Sequence, residues 1–193
     1  MRTIEISQED MARRISRFSL LKPLPIQADD EVPQEARDIV YARKLLSVIG
    51  LEDAAETPIS ANAPIIGAAG MTMTMAVCPP GQGPSLHAHL KTYETFTVLK
   101  GKFEIRWNDD GSESATLTEF DTVSVPPRVN REFRNIGDGE GILQVVITGG
   151  VHDMNDIDFS INVVDKLKQY GPAVRESFEE KGLTFTAHKD AVD

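Results

Sequence analysis

Between residues 65 and 148 the chain is built of short apolar or alternating runs separated by turn formers. Met71-Thr-Met-Thr-Met75 repeats with a period of two, the pattern of a strand with one buried face. Thr95–Leu99, rich in Thr, Phe and Val, predicts another strand. Lys102–Trp107 and Ser114–Thr118 flank Asn108-Asp-Asp-Gly111, a hairpin-turn composition. Thr122–Val125 predicts a short strand stopped by Pro126 and Pro127. Arg131–Asn135 and Ile142–Thr148, on either side of a Gly-Asp-Gly turn, complete the set. Many short strands at regular spacing predict an all-β barrel or jelly roll.

The flanks have a different texture. Residues 7–20 predict a helix, with Ser7 as cap, Ile6 and Met11 as a hydrophobic staple, and Met11, Ile15 and Phe18 on one face. Lys22-Pro23-Leu24-Pro25 ends it. Residues 27–37 are polar and acidic, contain Pro33, and predict a loop. Ile39–Ile49 fits a helix through Tyr41, Leu45, Val48 and Ile49, and a strand through Ile39-Val-Tyr41; the strand is preferred. After Gly149-Gly150, Val163–Tyr170 and Ala173–Lys181 predict two short helices parted by Gly171-Pro172, with Gly182 closing the second. The expected division is an N-terminal helix, linker and edge segment (1–63), a barrel (64–150) and a C-terminal helical extension (151–193).

Composition narrows the function classes. A net charge of -10 argues against non-specific binding to nucleic acid or an anionic membrane. The N-terminus carries no apolar run of signal-peptide length, and no stretch approaches a membrane span, so a cytoplasmic protein is expected. One cysteine, Cys78, allows no internal disulfide and reads as a buried small apolar residue.

The chemistry concentrates between Gly81 and Gly101. His87 and His89 are two apart, so on a strand they share a face, and a turn after His89 can bring Glu94 back beside them. Two imidazoles and a carboxylate suit a divalent transition metal (Fe, Mn, Ni or Zn) with coordination positions left open. Phe96 and Val98 share a face with Glu94 and read as an apolar pocket floor or as ordinary core; Met71, Met73 and Met75 could line the neighbouring wall. Gln144, on the last strand, and His152, just past it, could reach a barrel mouth, although an exposed loop position is the simpler reading of His152. His188 lies in the tail.

The run Gly81, five residues, His87-x-His89, four residues, Glu94, six residues, Gly101 resembles the first signature of the cupin superfamily at every fixed position. The second signature is matched in part: Asp121, Pro126 and Asn135 fall in place, whereas Phe120 and Arg128 stand at glycine positions and Arg131 stands where the family has a third histidine ligand. The resemblance covers about residues 64–150. It implies a jelly-roll (double-stranded β-helix) barrel with His87, His89 and Glu94 as metal ligands inside it.

A guanidinium has no lone pair to give a metal. Arg131 could clamp an anionic substrate group, pair with Glu94 in place of a metal, or leave the barrel for a surface acid. A one-residue register slip would instead turn Glu132 inward. The resemblance implies an enzyme acting on a small, acidic organic molecule, dioxygenase-like first. A non-redox isomerase or decarboxylase, or a metal-free binding protein, are the alternatives. Single cupins pair through sheet edges, so a homodimer is implied.

Overall fold

The computed structural model describes residues 1–51, 62–67, 70–150 and 154–191. Among these, twelve strands form two six-stranded sheets. The first contains β1 (Lys44–Gly50), β2 (Ile65–Ile66), β3 (Met71–Cys78), β5 (Tyr93–Lys100), β8 (Thr122–Val125) and β10 (Gly141–Thr148), in the order β2-β1-β3-β10-β5-β8. The second contains β4 (His87–His89), β6 (Phe103–Trp107), β7 (Glu113–Leu117), β9 (Arg131–Asn135), β11 (Ile157–Ser160) and β12 (Thr184–Ala187), in the order β12-β11-β4-β9-β6-β7. Phe96, Val98, Leu143 and Val145 from the first sheet share one core with Phe103, Ile105 and Phe133 from the second. Phe133 meets Phe96 edge-on, with ring centroids 5.2 Å apart. The predicted all-β architecture is what the chain adopts.

Register decides which face of each strand is inside. β3 alternates as expected, but Thr72, Thr74 and Ala76 are its buried positions, while Met71, Met73 and Met75 are only half-buried. The inward set Thr72, Thr74 and Ala76 pairs with Ile147, Val145 and Leu143 of β10, which pair in turn with Glu94, Phe96 and Val98 of β5. Gln144 falls on the opposite parity, opposite Met75, and its amide donates to the Met73 sulfur at 3.4 Å. The methionines and Gln144 therefore do not line the interior. Period two was legible in the sequence, but its phase was set by pairing with neighbours.

The flanks depart from expectation in several places. The predicted helix over 7–20 is α1 (Gln8–Ala12) followed by a 3-10 turn at Phe18–Leu20. Ser7 caps α1 as expected, its hydroxyl accepting from the Asp10 amide at 3.0 Å. Met11, Ile15 and Phe18 remain exposed, so no packed face extends the helix. Part of the predicted loop 27–37 is the start of α2 (Gln34–Val40), whose Ala36 and Val40 are buried. The ambiguous segment 39–49 holds both structures: α2 ends at Val40 and β1 begins at Lys44. The C-terminal helices are α3 (Asn162–Leu167) and α4 (Pro172–Glu180), as predicted. β11 and β12 were not predicted; they extend the second sheet beyond β4. α2, α3 and α4 close over Tyr41, Phe159, Leu183 and Phe185 as a second core cluster. No helix among the described residues is long and apolar enough to cross a membrane.

The two departures from glycine in the second signature leave the backbone shape intact. Phe120 and Arg128 hold φ of 72° and 65°, the left-handed region that glycine enters without steric cost. The turn after Pro126 therefore keeps the shape a glycine would give it. Arg131 sits in the direct register, fully buried, and no slip occurs. Glu132 points to the other face of β9, where it pairs with Arg106 at 3.8 Å. Phe120 is 78% exposed, so its side chain contributes little packing against its backbone strain. Phe120→Gly should stabilise the fold by about 1 kcal/mol, read as a rise of about 2–4 °C in Tm.

Candidate metal centre

β4 is three residues long, and both its histidines are buried. It lies between β9, where His87 pairs with Arg131, and β11, where His87 pairs with Phe159 and His89 with Ile157. Glu94, the second residue of β5, enters from the other sheet. Its Oε2 lies 3.6 Å from Nε2 of His87 and 3.6 Å from Nε2 of His89. One ligand atom from each of the three lies within 4.8 Å of the others. The sequence expectation that these three side chains converge is met. The two glycines framing the motif, Gly81 and Gly101, hold φ of 77° and 90°, which explains why glycine occupies both turns.

The outer nitrogens fix the tautomers. Nδ1 of His87 lies 2.9 Å from the Ser85 carbonyl, which can only accept, so that nitrogen carries the proton. Nδ1 of His89 lies 3.1 Å from Oδ2 of Asp156. The Thr92 hydroxyl donates to the same oxygen at 2.5 Å, so the proton of His89 also sits on Nδ1. Both Nε2 lone pairs then face a carboxylate. Three acceptors aimed at one point repel one another unless a cation lies among or beside them. The donor set thus fits a divalent metal, and tied-back Nδ1–H groups of this kind orient metal-binding imidazoles.

The cation the fold itself supplies is Arg131. Its Nε donates to Glu94 Oε2 at 3.0 Å. Its Nη1 donates to the Val129 carbonyl at 3.0 Å and, more weakly, to that of His87 at 3.4 Å. Nη2 has no hydrogen-bond partner among the described residues. Burial alone would raise the Glu94 carboxyl. His89, His87 and Arg131 outweigh it and hold the group far below the usual carboxylate range. Burial lowers His89, against the opposing pull of Glu94 and Asp156. For Asp156, burial raises the carboxyl, but hydrogen bonds from His89, Thr92 and the Lys91 amide win and lower it.

Next to this cluster is a cavity of about 100 Å³, walled almost entirely by hydrocarbon, with His87, His89 and Glu94 among its lining. Ile26 and Tyr41 from ahead of β1, Leu45 from β1 itself, Ile157 and Phe159 from β11, and Leu183 from just ahead of β12 line it as well. The terminal segments therefore cap the barrel mouth and build half of the wall. Phe96 is absent from the lining: it is fully buried in the barrel core, between Val145 and Phe133. Arg131 is likewise behind the site, not in the cavity. Gln144 faces away. His188 sits beside Asp109, 3.9 Å from its carboxylate. His152 lies outside the described residues.

Asp156 was missed in the sequence. It lies 67 positions beyond His89, in a short 3-10 turn, and no spacing rule links the two. Asp156→Asn replaces the acceptor that holds His89 in its tautomer. It should weaken metal affinity by about 10–100-fold, measured by competition with a chromophoric chelator. Cys78 is buried in the barrel core, and burial pushes its thiol up to about 12, so it is an inert packing residue.

The family model for the cupin domain matches residues 74–148. Among solved structures, the cupin domain of Schizosaccharomyces pombe Cnp3 is similar at 18% identity over 42% of this chain and 56% of that one, with a TM-score of 0.39. The match thus spans just over half of the Cnp3 structure. A cupin protein from Bacteroides fragilis is 25% identical over 42% of this chain and 66% of that one, TM-score 0.38. KdgF from Halomonas sp. is 13% identical over 44% and 75%, TM-score 0.40. No protein of curated function matches by sequence.

Proposed function

From the match of residues 74–148 to the cupin-domain family model, we propose that this chain is a metal-dependent cupin enzyme acting on a small acidic organic molecule, with dioxygenase chemistry as its specific form. His87, His89 and Glu94 would hold the metal. The observation that carries this reading is the convergence of two bare Nε2 atoms on one carboxylate oxygen, each at 3.6 Å. A bound redox metal would supply electrons to oxygen and open positions for substrate. Ser85 and Asp156 keep both imidazoles in the ligating tautomer. Arg131 is a positioning residue: it fixes the Glu94 carboxylate and offsets its charge, so a divalent cation in the site would leave net positive charge facing the cavity. That charge favours an anionic ligand. The hydrocarbon wall binds the rest of the molecule and keeps water out.

The 3.0 Å contact between Arg131 and Glu94 favours a second reading, in which the ion pair stands in for the metal and the barrel only binds its ligand. Metal analysis of protein purified without added metal separates the two. Iron at about one equivalent with oxygen uptake is expected. Zinc or nickel without uptake would point to isomerase or decarboxylase chemistry, and metal-free protein would establish the second reading. Light scattering of the same sample should give a dimer mass, since we infer that two copies pair through sheet edges.

A further inference from the structure

The first twenty residues bury almost nothing against their own chain. All but Ser16, which is half-buried, are exposed. α1 has no buried residue, and Ile4, Ile6, Met11, Ile15, Phe18 and Leu20 all stand in solvent. Single exposed apolar residues need no explanation, but six within seventeen positions mark an interaction surface.

A second apolar surface adjoins this arm. A sheet with one face in water normally turns polar residues outward. The first sheet turns out Met71, Met73 and Met75 of β3, Ile142 and Val146 of β10, and Tyr93 of β5, all on the parity opposite to the buried Thr74 and Val145 and all partly or fully exposed. Thr95 and Thr97, the next outward positions of β5, carry no charge. The arm leaves the body at the edge of this same sheet. Pro23 bridges to Leu46 of β1, and the Leu24 amide donates to the Leu45 carbonyl at 2.9 Å. Leu46 pairs with Met75, so the arm begins beside the apolar face.

Charge and area both fit a second copy of this chain as the partner. Residues 1–22 hold Arg2, Arg13, Arg14, Arg17 and Lys22 against Glu5, Glu9 and Asp10, so the arm is net basic. The whole chain carries -10, so the body of another copy attracts it. Covering the six apolar side chains of one arm removes on the order of 600 Å² from water, and the receiving face loses a comparable area. Two reciprocal arms therefore bury about 2,000 Å², enough for a stable, specific dimer. We propose that two copies meet about a two-fold axis through the outer faces of their first sheets, with the N-terminal arm of each lying across Met71, Met73, Met75 and Val146 of the other. A two-fold interface is self-complementary, so one arm and one face per copy satisfy both sides. This dimer covers surfaces that pairing at sheet edges alone leaves in water, and it does not rest on the metal reading.

The test is sedimentation equilibrium of the full chain at about 1–100 μM, for wild type and three variants. Wild type should be a dimer. Ile15→Glu/Phe18→Glu in the arm and Val146→Glu in the face should each raise the dimer Kd by about 100-fold or more, because each puts uncompensated charge into the covered surface. Ile161→Glu, which changes an equally exposed apolar residue ahead of α3, should leave the Kd unchanged. Ile15 and Phe18 are exposed in the single chain, so the arm variant keeps its fold and decides the matter alone if Val146→Glu does not fold. Trypsin supplies a second readout: cleavage after Arg13, Arg14 and Arg17 should be about tenfold slower in the wild-type dimer than in the arm variant, where the arm is free. A monomeric wild type, or an arm cut equally fast in both proteins, overturns the proposal. A dimer that persists in the arm variant also overturns it, and leaves edge pairing as the source of the dimer.

Discussion

Arg131→Met will destabilise the metal-free protein by about 3–5 kcal/mol, a fall in Tm on the order of 10 °C. The guanidinium is fully buried, and its Nε is 3.0 Å from a carboxylate that is itself buried. Removing it leaves Glu94 facing two imidazole lone pairs with no cation beside it. Adding a divalent metal should recover most of the loss, because a cation bound by His87, His89 and Glu94 replaces the missing charge, and mass action adds to it. Recovery would also show that Arg131 weakens metal binding in wild type by repulsion. An undiminished penalty at saturating metal would exclude the three residues as a cation site.

The pH dependence of Arg131→Met has a definite sign. Glu94 has a folded pKa below its ordinary 4.5, so its contribution is complete above that pH and is lost as pH falls through the depressed folded value. Arg131 is among the groups that depress it. In Arg131→Met the acid limb of the stability curve should therefore move to higher pH. Equilibrium urea unfolding from pH 3 to pH 8 reads this directly.

His89→Ala should abolish tight metal binding, lowering affinity on the order of 1,000-fold. Two donors remain, and neither His87 nor Glu94 can move to compensate from within the packed barrel. His188→Ala should leave affinity unchanged, because His188 lies beside Asp109 and away from the cluster. Equal losses from both variants would mean that the measured binding is non-specific. The expected pattern is checked by competition titration with Co(II), whose visible spectrum also reports ligand number.

Much of the centre was legible along the chain, and the reason is local. His87, His89 and Glu94 lie within eight positions, and one strand and one turn suffice to bring them together. Period-two alternation revealed the strands for the same reason: it depends only on backbone geometry. Asp156 was not legible, because it meets His89 only when β11 pairs with β4. Nor was the phase of β3 and β10, which put Thr74 in the cavity and turned Met73 and Gln144 away from it.

The sequence by itself determined an all-β barrel, the grouping of His87, His89 and Glu94, and an arginine at the position of the family's third histidine. Only the tertiary structure decided that this arginine binds Glu94 from behind and that Phe96 is core. It also decided that the terminal segments cap the cavity with Tyr41 in its wall. Spacing along a strand is set by covalent geometry, which any stretch of sequence carries with it. Which side chains share a cavity is set by sheet register and by contacts across more than a hundred residues, and these exist only once the whole chain has packed.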